Sequence, residues 1–228
     1  MIIDIIGLPG SGKSFLAEEI AEDLNRRNID NINVLRYERY TFKGKLINRI
    51  KKEFIKKFRY TNRIREELCI ILKDELYLKS IYNKDRNIDY YIDYIAISIY
   101  RYSKLMRRKK VYIFDEGIYH ALATLCMDYN ISNDIFLNLL LFCKSKLGEN
   151  NIIYNKISVK DCLQSIKQRN RKQCDIDELS DEMTYQMLRA YENYFMLIEK
   201  EINIISVSRN ESSAEKIRKI SSVYVRRN

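Results

Sequence analysis

Eight residues, Gly7-Leu8-Pro9-Gly10-Ser11-Gly12-Lys13-Ser14, stand directly behind an apolar run at 1–6 and fit the pattern G-x-x-x-x-G-K-[ST]. A triphosphate carries dense negative charge, and a glycine-rich turn can offer it successive backbone N–H groups at the start of a helix. Lys13 is expected to reach the β- and γ-phosphates and Ser14 to bring a hydroxyl to Mg²⁺, roles that require both to follow the last glycine at once. The candidate nucleotide-binding residues are therefore Gly7, Pro9, Gly10, Ser11, Gly12, Lys13, Ser14 and Phe15. The chain has one proline and six glycines, and the proline and three of the glycines fall in this loop.

Further along, Val111-Tyr112-Ile113-Phe114-Asp115-Glu116 is an apolar run that ends in two carboxylates. A carboxylate at such a strand end can hold Mg²⁺ directly or through water, and Asp115 is the first choice beside Ser14. Glu116 suits two chemistries: positioning an attacking water in an ATPase, or orienting substrate or metal in a kinase. The same pair could instead start a helix, with Asp115 as its N-cap and Glu116 favouring the first-turn dipole. His120, the single histidine, lies one helical turn beyond Glu116 and within pairing reach of it. Glu38, between Tyr37 and Arg39, could act as the general base that takes a proton from an acceptor hydroxyl. It reads equally well as an exposed loop glutamate. A cationic segment at 167–172 supplies Arg169 and Arg171, which a mobile lid could close over a departing phosphoryl group. Charge at a solvated helix end is the competing account.

The elements that must position these residues are strands alternating with helices. Apolar runs at 2–6, 33–37, 110–114, 152–159 and 202–207 read as five strands of a parallel sheet. Behind the loop, Leu16, Ile20 and Leu24, with Ala17 and Ala21, put an apolar stripe on a helix. Ligands should gather at the carboxyl ends of such strands. The expected fold class is therefore α/β, a three-layer P-loop NTPase fold with a helical insertion at 43–108, between the second and third strands. In that insertion Leu46, Ile50, Phe54 and Phe58 recur every four residues, with Lys51, Lys52, Lys56 and Lys57 opposite them. The lysines form either a surface for acidic material or a solvated face. Tyr90, Tyr91, Tyr94, Tyr100 and Tyr102 read mainly as packing residues.

With 228 residues and no Pro/Gly/Ser-rich linker, the expectation is a single domain over 1–228 with a lid segment at about 167–176. The 41 basic and 31 acidic residues leave a net charge of +10, which favours anionic partners without choosing among them. Five cysteines without C-x-x-C spacing argue for reduced packing residues rather than disulfides or a metal. No apolar stretch is long enough for a membrane span, and no signal peptide is evident, so a soluble cytoplasmic protein is expected.

Taken with its layout, the chain resembles the nucleoside and nucleotide kinases of the P-loop class, the group of thymidylate and deoxynucleoside kinases. The resemblance is specific at Gly7 to Ser14. Asp161 followed by Arg169 and Arg171 is similar to that group's lid, and Glu38 falls near the strand end where deoxynucleoside kinases carry their base. In place of the arginine those kinases set beside the acidic residue after the third strand, this chain has Asp115-Glu116-Gly117. The resemblance implies an ATP-dependent, Mg²⁺-requiring phosphotransferase acting on a small molecule, a nucleoside or nucleoside monophosphate first among acceptors, with a homodimer open. Catalytic roles then fall to Lys13, Glu38, Asp115, Glu116, Arg169 and Arg171. The alternative is an ATPase or nucleotide switch acting with nucleic acid or a protein partner. Asp115-Glu116 is similar to a Walker B element, although no ABC signature is present and Asn155-Lys156-Ile157-Ser158 lacks the aspartate of a GTPase base-reading motif.

Overall fold

β1 (Ile2–Ile6) is buried along its whole length, as a strand of isoleucines covered on both faces must be. In the computed structural model the described residues are 1–29, 32–35, 58–82, 87–148, 151–169, 176 and 179–225. After β1 the order is α1 (Lys13–Arg26), β2 (Ile32–Leu35), α2 (Arg59–Ile71), α3 (Ile88–Leu105), β3 (Val111–Phe114), α4 (Ile118–Asp128), α5 (Asn133–Leu147), β4 (Asn151–Lys156), α6 (Val159–Arg169), α7 (Asp181–Glu201), β5 (Ile205–Ser208) and α8 (Ser213–Val225). The five strands form one sheet in the order β2-β3-β1-β4-β5, every neighbouring pair parallel.

Alternation along β1 divides the core into two. Ile3 and Ile5 join Leu16, Ala17, Ile20 and Leu24 of α1 and Ile220 of α8 on one face. Ile2 and Ile6 turn to the other face, where α2 to α7 supply the larger cluster. Each buried isoleucine of β1 contributes on the order of 2 kcal/mol. Asp4 points the same way as Ile2 and Ile6, so a carboxylate is set into the helical layer. α2 and α3 form the described part of the insertion between the second and third strands; the lysine-bearing segment before Phe58 lies outside the described residues.

Several boundaries differ from the sequence expectation. The fourth strand stops at Lys156 and Val159 opens α6, because Asp161 N–H donates to Ser158 Oγ at 3.1 Å while that hydroxyl donates to Asp161 Oδ2 at 2.7 Å. That reciprocal cap starts a helix inside an apolar run. The fifth strand begins at Ile205 rather than 202, since Ile202 ends α7 as its C-cap. The second strand starts at Ile32 and the third at Val111, each one residue from its expected start. Cys126, Cys143 and Cys162 are buried and Cys69 is partly buried; Cys174 lies outside the described residues. Of Tyr90, Tyr91, Tyr94, Tyr100 and Tyr102, the buried core holds Tyr91 and Tyr102. No helix among the described residues is long and apolar enough to cross a membrane.

Candidate functional site

At the carboxyl end of β1 the chain turns through Gly7, Gly10 and Gly12, all with positive φ. A Cβ on Gly7 would lie 2.7 Å from the Asn155 carbonyl oxygen, so the loop passes too close to β4 for any side chain. Asn155 also braces it, its Nδ2 donating to the Ser11 carbonyl at 2.9 Å. Gly12 occupies the N-cap position of α1 with φ 89°, leaving the first-turn N–H groups without a side-chain cap. Uncapped amides and the positive end of the helix dipole make this turn a receptor for anions.

Lys13 is buried, and its Nζ donates to the carbonyls of Gly7 and Leu8 at 3.0 and 3.1 Å. The ammonium therefore folds back over the mouth of the loop, and Glu116 Oε1 faces it at 3.5 Å from the end of β3. Ser14 Oγ donates to Asp115 Oδ2 at 2.5 Å. Two hard oxygen ligands, one hydroxyl and one carboxylate, thus already stand together at the loop, as a Mg²⁺ ion that completes its shell with phosphates and water requires. Among the described residues no group of three or more His, Cys, Asp or Glu side chains could hold a metal without such help. Pro9 is partly buried on the loop, whereas Phe15 is 62% exposed on α1.

His120 Nε2 lies 3.8 Å from Glu116 Oε1, and the ring is stacked near Tyr191 and Phe195 of α7. Burial holds the imidazole down to about 4; the Glu116 carboxylate pulls it up and Lys13 pushes it further down. The histidine is neutral at neutral pH. It belongs to the aromatic layer joining α4 to α7, with one edge toward the carboxylate.

Gly117, not Asp115, occupies the N-cap position of α4, which corrects the capping alternative. The amides of Gly117 and Ile118 donate instead to Asp4 Oδ1 and Oδ2, each at 3.1 Å, and Tyr102 Oη donates to Oδ2 at 3.2 Å. Asp4 is fully buried. Burial pushes its carboxyl up to about 7; the Tyr102 hydroxyl and the amides of Tyr119, Gly117 and Ile118 hold it down only in part. Sequence reasoning passed over Asp4 as the odd residue of an isoleucine strand. The available signals were a carboxylate in a strand buried on both faces and a downstream helix with no capping residue.

Glu38, with Tyr37 and Arg39, and Arg171 lie outside the described residues. Arg169 ends α6, and its side chain lies outside them too. Lys167, from the same cationic segment, is ion-paired with Asp181 of α7 at 2.5 Å. Between α6 and the turn after β5 a polar hollow of about 330 Å³ is lined by Asp161, Gln164, Ser165, Gln168, Arg209 and Asn210. Arg209 Nη1 donates across it to Ser165 Oγ at 2.8 Å.

A parallel sheet in this order, with a phosphate-type loop after its central strand and carboxylates at the end of the next, matches known structures over its whole length. The chain shares with them an α/β fold, a five-stranded all-parallel sheet with helices on both faces. It is similar to deoxyadenosine kinase from M. mycoides with the products dCMP and a flexible dCDP bound, at 14% identity and a TM-score of 0.55, over 99% of this chain and 100% of that one. Two further structures of deoxyadenosine kinase from M. mycoides, with bound dCTP and with bound dATP, align at 16% identity with TM-scores of 0.51 and 0.52. They cover 99% of this chain and 100% and 99% of theirs. The profile of the ATPase family associated with various cellular activities (AAA) matches residues 3–87, which include the phosphate loop and end before Asp115 and Glu116. Curated proteins gave no match.

Proposed function

We propose that this protein is an ATP-dependent kinase that transfers the γ-phosphoryl group to a small acceptor, a nucleoside or nucleoside monophosphate first among candidates. The observation that carries the reading is the contact of Ser14 with Asp115 beside Lys13, which brings the phosphate loop and a strand-end carboxylate into one charged crevice. The dCMP, dCDP, dCTP and dATP bound in the M. mycoides kinase structures support the acceptor class. In this account the loop amides and Lys13 bind the triphosphate, and Lys13 exchanges its bonds to Gly7 and Leu8 for phosphate oxygens. Ser14 and Asp115 would hold Mg²⁺, which when bound supplies positive charge to the β- and γ-phosphates. Glu38 takes the acceptor proton, Glu116 orients the acceptor, and Arg169 with Arg171 closes over the transferring group and excludes water. The polar hollow beside Arg209 offers room for the base of the donor nucleotide.

Glu116 and the AAA match favour a second reading, an ATPase in which Glu116 activates water for a nucleic-acid or protein partner. The experiment follows label from the γ-phosphate of ATP into nucleosides, nucleoside monophosphates, sugars and free phosphate. Label in a nucleoside or nucleotide is expected. Label found only as free phosphate across the panel, with stimulation by polynucleotide, replaces the kinase by the ATPase.

A further inference from the structure

We propose that Asp4 is a positioning residue of this site: from the middle of β1 it serves as the N-cap of α4 and so fixes the Asp115-Glu116-Gly117 turn against the phosphate loop. A helix begins with N–H donors that have no partner inside it, and serine, threonine, aspartate or asparagine usually serves them from the preceding residue. α4 has Gly117 there and no cap of its own. Asp4 satisfies the amides of Gly117 and Ile118 from 113 and 114 positions away. Such a carboxylate is costly to bury in a fully covered strand unless it is hydrogen-bonded, and Tyr102 supplies the third bond.

Two features couple this cap to the chemistry. Asp4, in the middle of β1, and Gly7, just past its end, are about 10 Å apart along one strand, so the residue that holds the carboxylate turn moves with the loop that would hold the phosphates. Gly117 also leaves no slack, since a Cβ on it would lie 2.3 Å from both Asp4 Oδ1 and the Tyr102 hydroxyl. The turn is thereby clamped one residue after Glu116 and two after Asp115. The inference rests on the reading of that turn as the metal and phosphate site, but not on the identity of the acceptor.

The test compares Asp4→Asn, Gly117→Ala and Tyr102→Phe in the full chain. Three quantities are read: affinity for a nonhydrolysable ATP analogue without metal, the gain in affinity on adding Mg²⁺, and kcat for ATP consumption whatever the product. In Asp4→Asn an amide nitrogen replaces one acceptor, so one α4 N–H is left unmatched; in Gly117→Ala the methyl pushes the turn off Asp4. Both are expected to bind the metal-free analogue within about threefold of wild type, because Lys13 and the loop amides are untouched. Both should lose most of the Mg²⁺ gain and on the order of 100-fold in kcat, the effect of an ångström-scale misplacement. Tyr102→Phe keeps both amide bonds and should lose less than about tenfold. The double variant Asp4→Asn/Gly117→Ala should be no worse than its poorer parent, since both act through one contact. Lower melting temperatures with an unchanged Mg²⁺ gain and unchanged kcat per folded molecule would reduce Asp4 to a stabilising cap and overturn the proposal. If Asp4→Asn does not fold, Gly117→Ala decides it on the same criteria. Wild-type release of free phosphate alone would sink the kinase reading, while the Mg²⁺ comparison would still judge Asp4.

Discussion

Lys13 and Glu116 face each other at 3.5 Å across the crevice between the phosphate loop and the end of β3, the lysine buried and the glutamate 37% exposed. With both loop carbonyls also on Lys13, the ammonium is fully engaged before any phosphate arrives. On the proposed reading a triphosphate would compete with Glu116 for Lys13, drawing the ammonium away from that carboxylate.

Lys13→Ala is expected to abolish measurable triphosphate turnover, a loss of at least about 100-fold, while the protein stays folded. The buried ammonium is held by the Gly7 and Leu8 carbonyls and belongs to neither apolar cluster, so its removal takes away charge rather than core packing. Steady-state kinetics beside circular dichroism separate the two effects, and a folded variant with wild-type turnover would remove the loop from the chemistry.

Asp115→Asn should shift the Mg²⁺ dependence of turnover to higher concentration by about tenfold or more, with a smaller effect on binding of a nucleotide analogue. The amide keeps the shape and a contact for Ser14 but loses the charge that would hold the metal. Turnover titrated against Mg²⁺ reads it directly; an unchanged curve would leave Asp115 with no metal role.

Glu38→Gln and Glu116→Gln divide kinase from ATPase. In a kinase the first should impair label transfer by about 100-fold or more and the second should leave partial transfer; in a water-activating ATPase the order reverses. Arg169→Ala and Arg171→Ala should lower kcat more than they weaken ATP binding, because their charge acts on the closed transition state. Single-turnover assays of each variant give the ranking.

The pH dependence of stability has two opposed contributions, one from His120 on α4 and one from Asp4 on β1. His120, flanked by Glu116, Lys13 and Tyr191, has its folded value lowered to about 4 from 6.5, so its contribution is complete above 6.5 and is lost as pH falls toward 4. Asp4, facing Tyr102 and Tyr119, is raised to about 7 from 3.8, so its contribution is complete below 3.8 and is lost as pH rises to 7. Between pH 4 and 6.5 folding in effect moves a proton from His120 to Asp4, and the two slopes cancel. Urea unfolding across pH 4–7 should be nearly flat for wild type on account of these groups. Asp4→Asn should then gain stability with rising pH and His120→Gln should lose it, each by up to about 1.4 kcal/mol per pH unit. Parallel profiles for the three proteins would show that neither group titrates as placed.

What could be seen in the sequence was whatever is local. The loop from Gly7 to Ser14 is specified by spacing alone, and strands 1 and 3 stop where the apolar run meets Gly7 and Asp115. The expected fourth strand runs past Lys156 because Ile157 and Val159 continue the apolar run, although Ser158 and Asp161 carry a readable helix-start pattern. The expected fifth strand begins ahead of Ile205 because Ile202 and Ile204 follow α7 without a breaker. The Asp4 cap leaves only indirect signals in the sequence, because its donors are backbone amides more than a hundred positions away that the β1–β3 register, pairing Asp4 with Phe114, brings to it.

β1 is the central strand, yet both neighbours follow it by more than a hundred residues: Ile3 pairs with Ile113 and Ile5 with Ile153. At about 5–20 residues per second the ribosome takes on the order of 10 s to deliver the first of these partners. Throughout that interval Ile-Ile-Asp-Ile-Ile is a short, β-prone segment with no sheet to enter, the kind of sequence that recruits other nascent chains. In the unfolded chain its aspartate has an ordinary carboxyl and is ionised in the cell, which places a charge at the centre of the sticky run and discourages intermolecular pairing. The residue that caps α4 in the finished protein is thus also a gatekeeper during synthesis. Replacing it with an apolar residue should lower soluble yield on expression even where the purified protein remains stable.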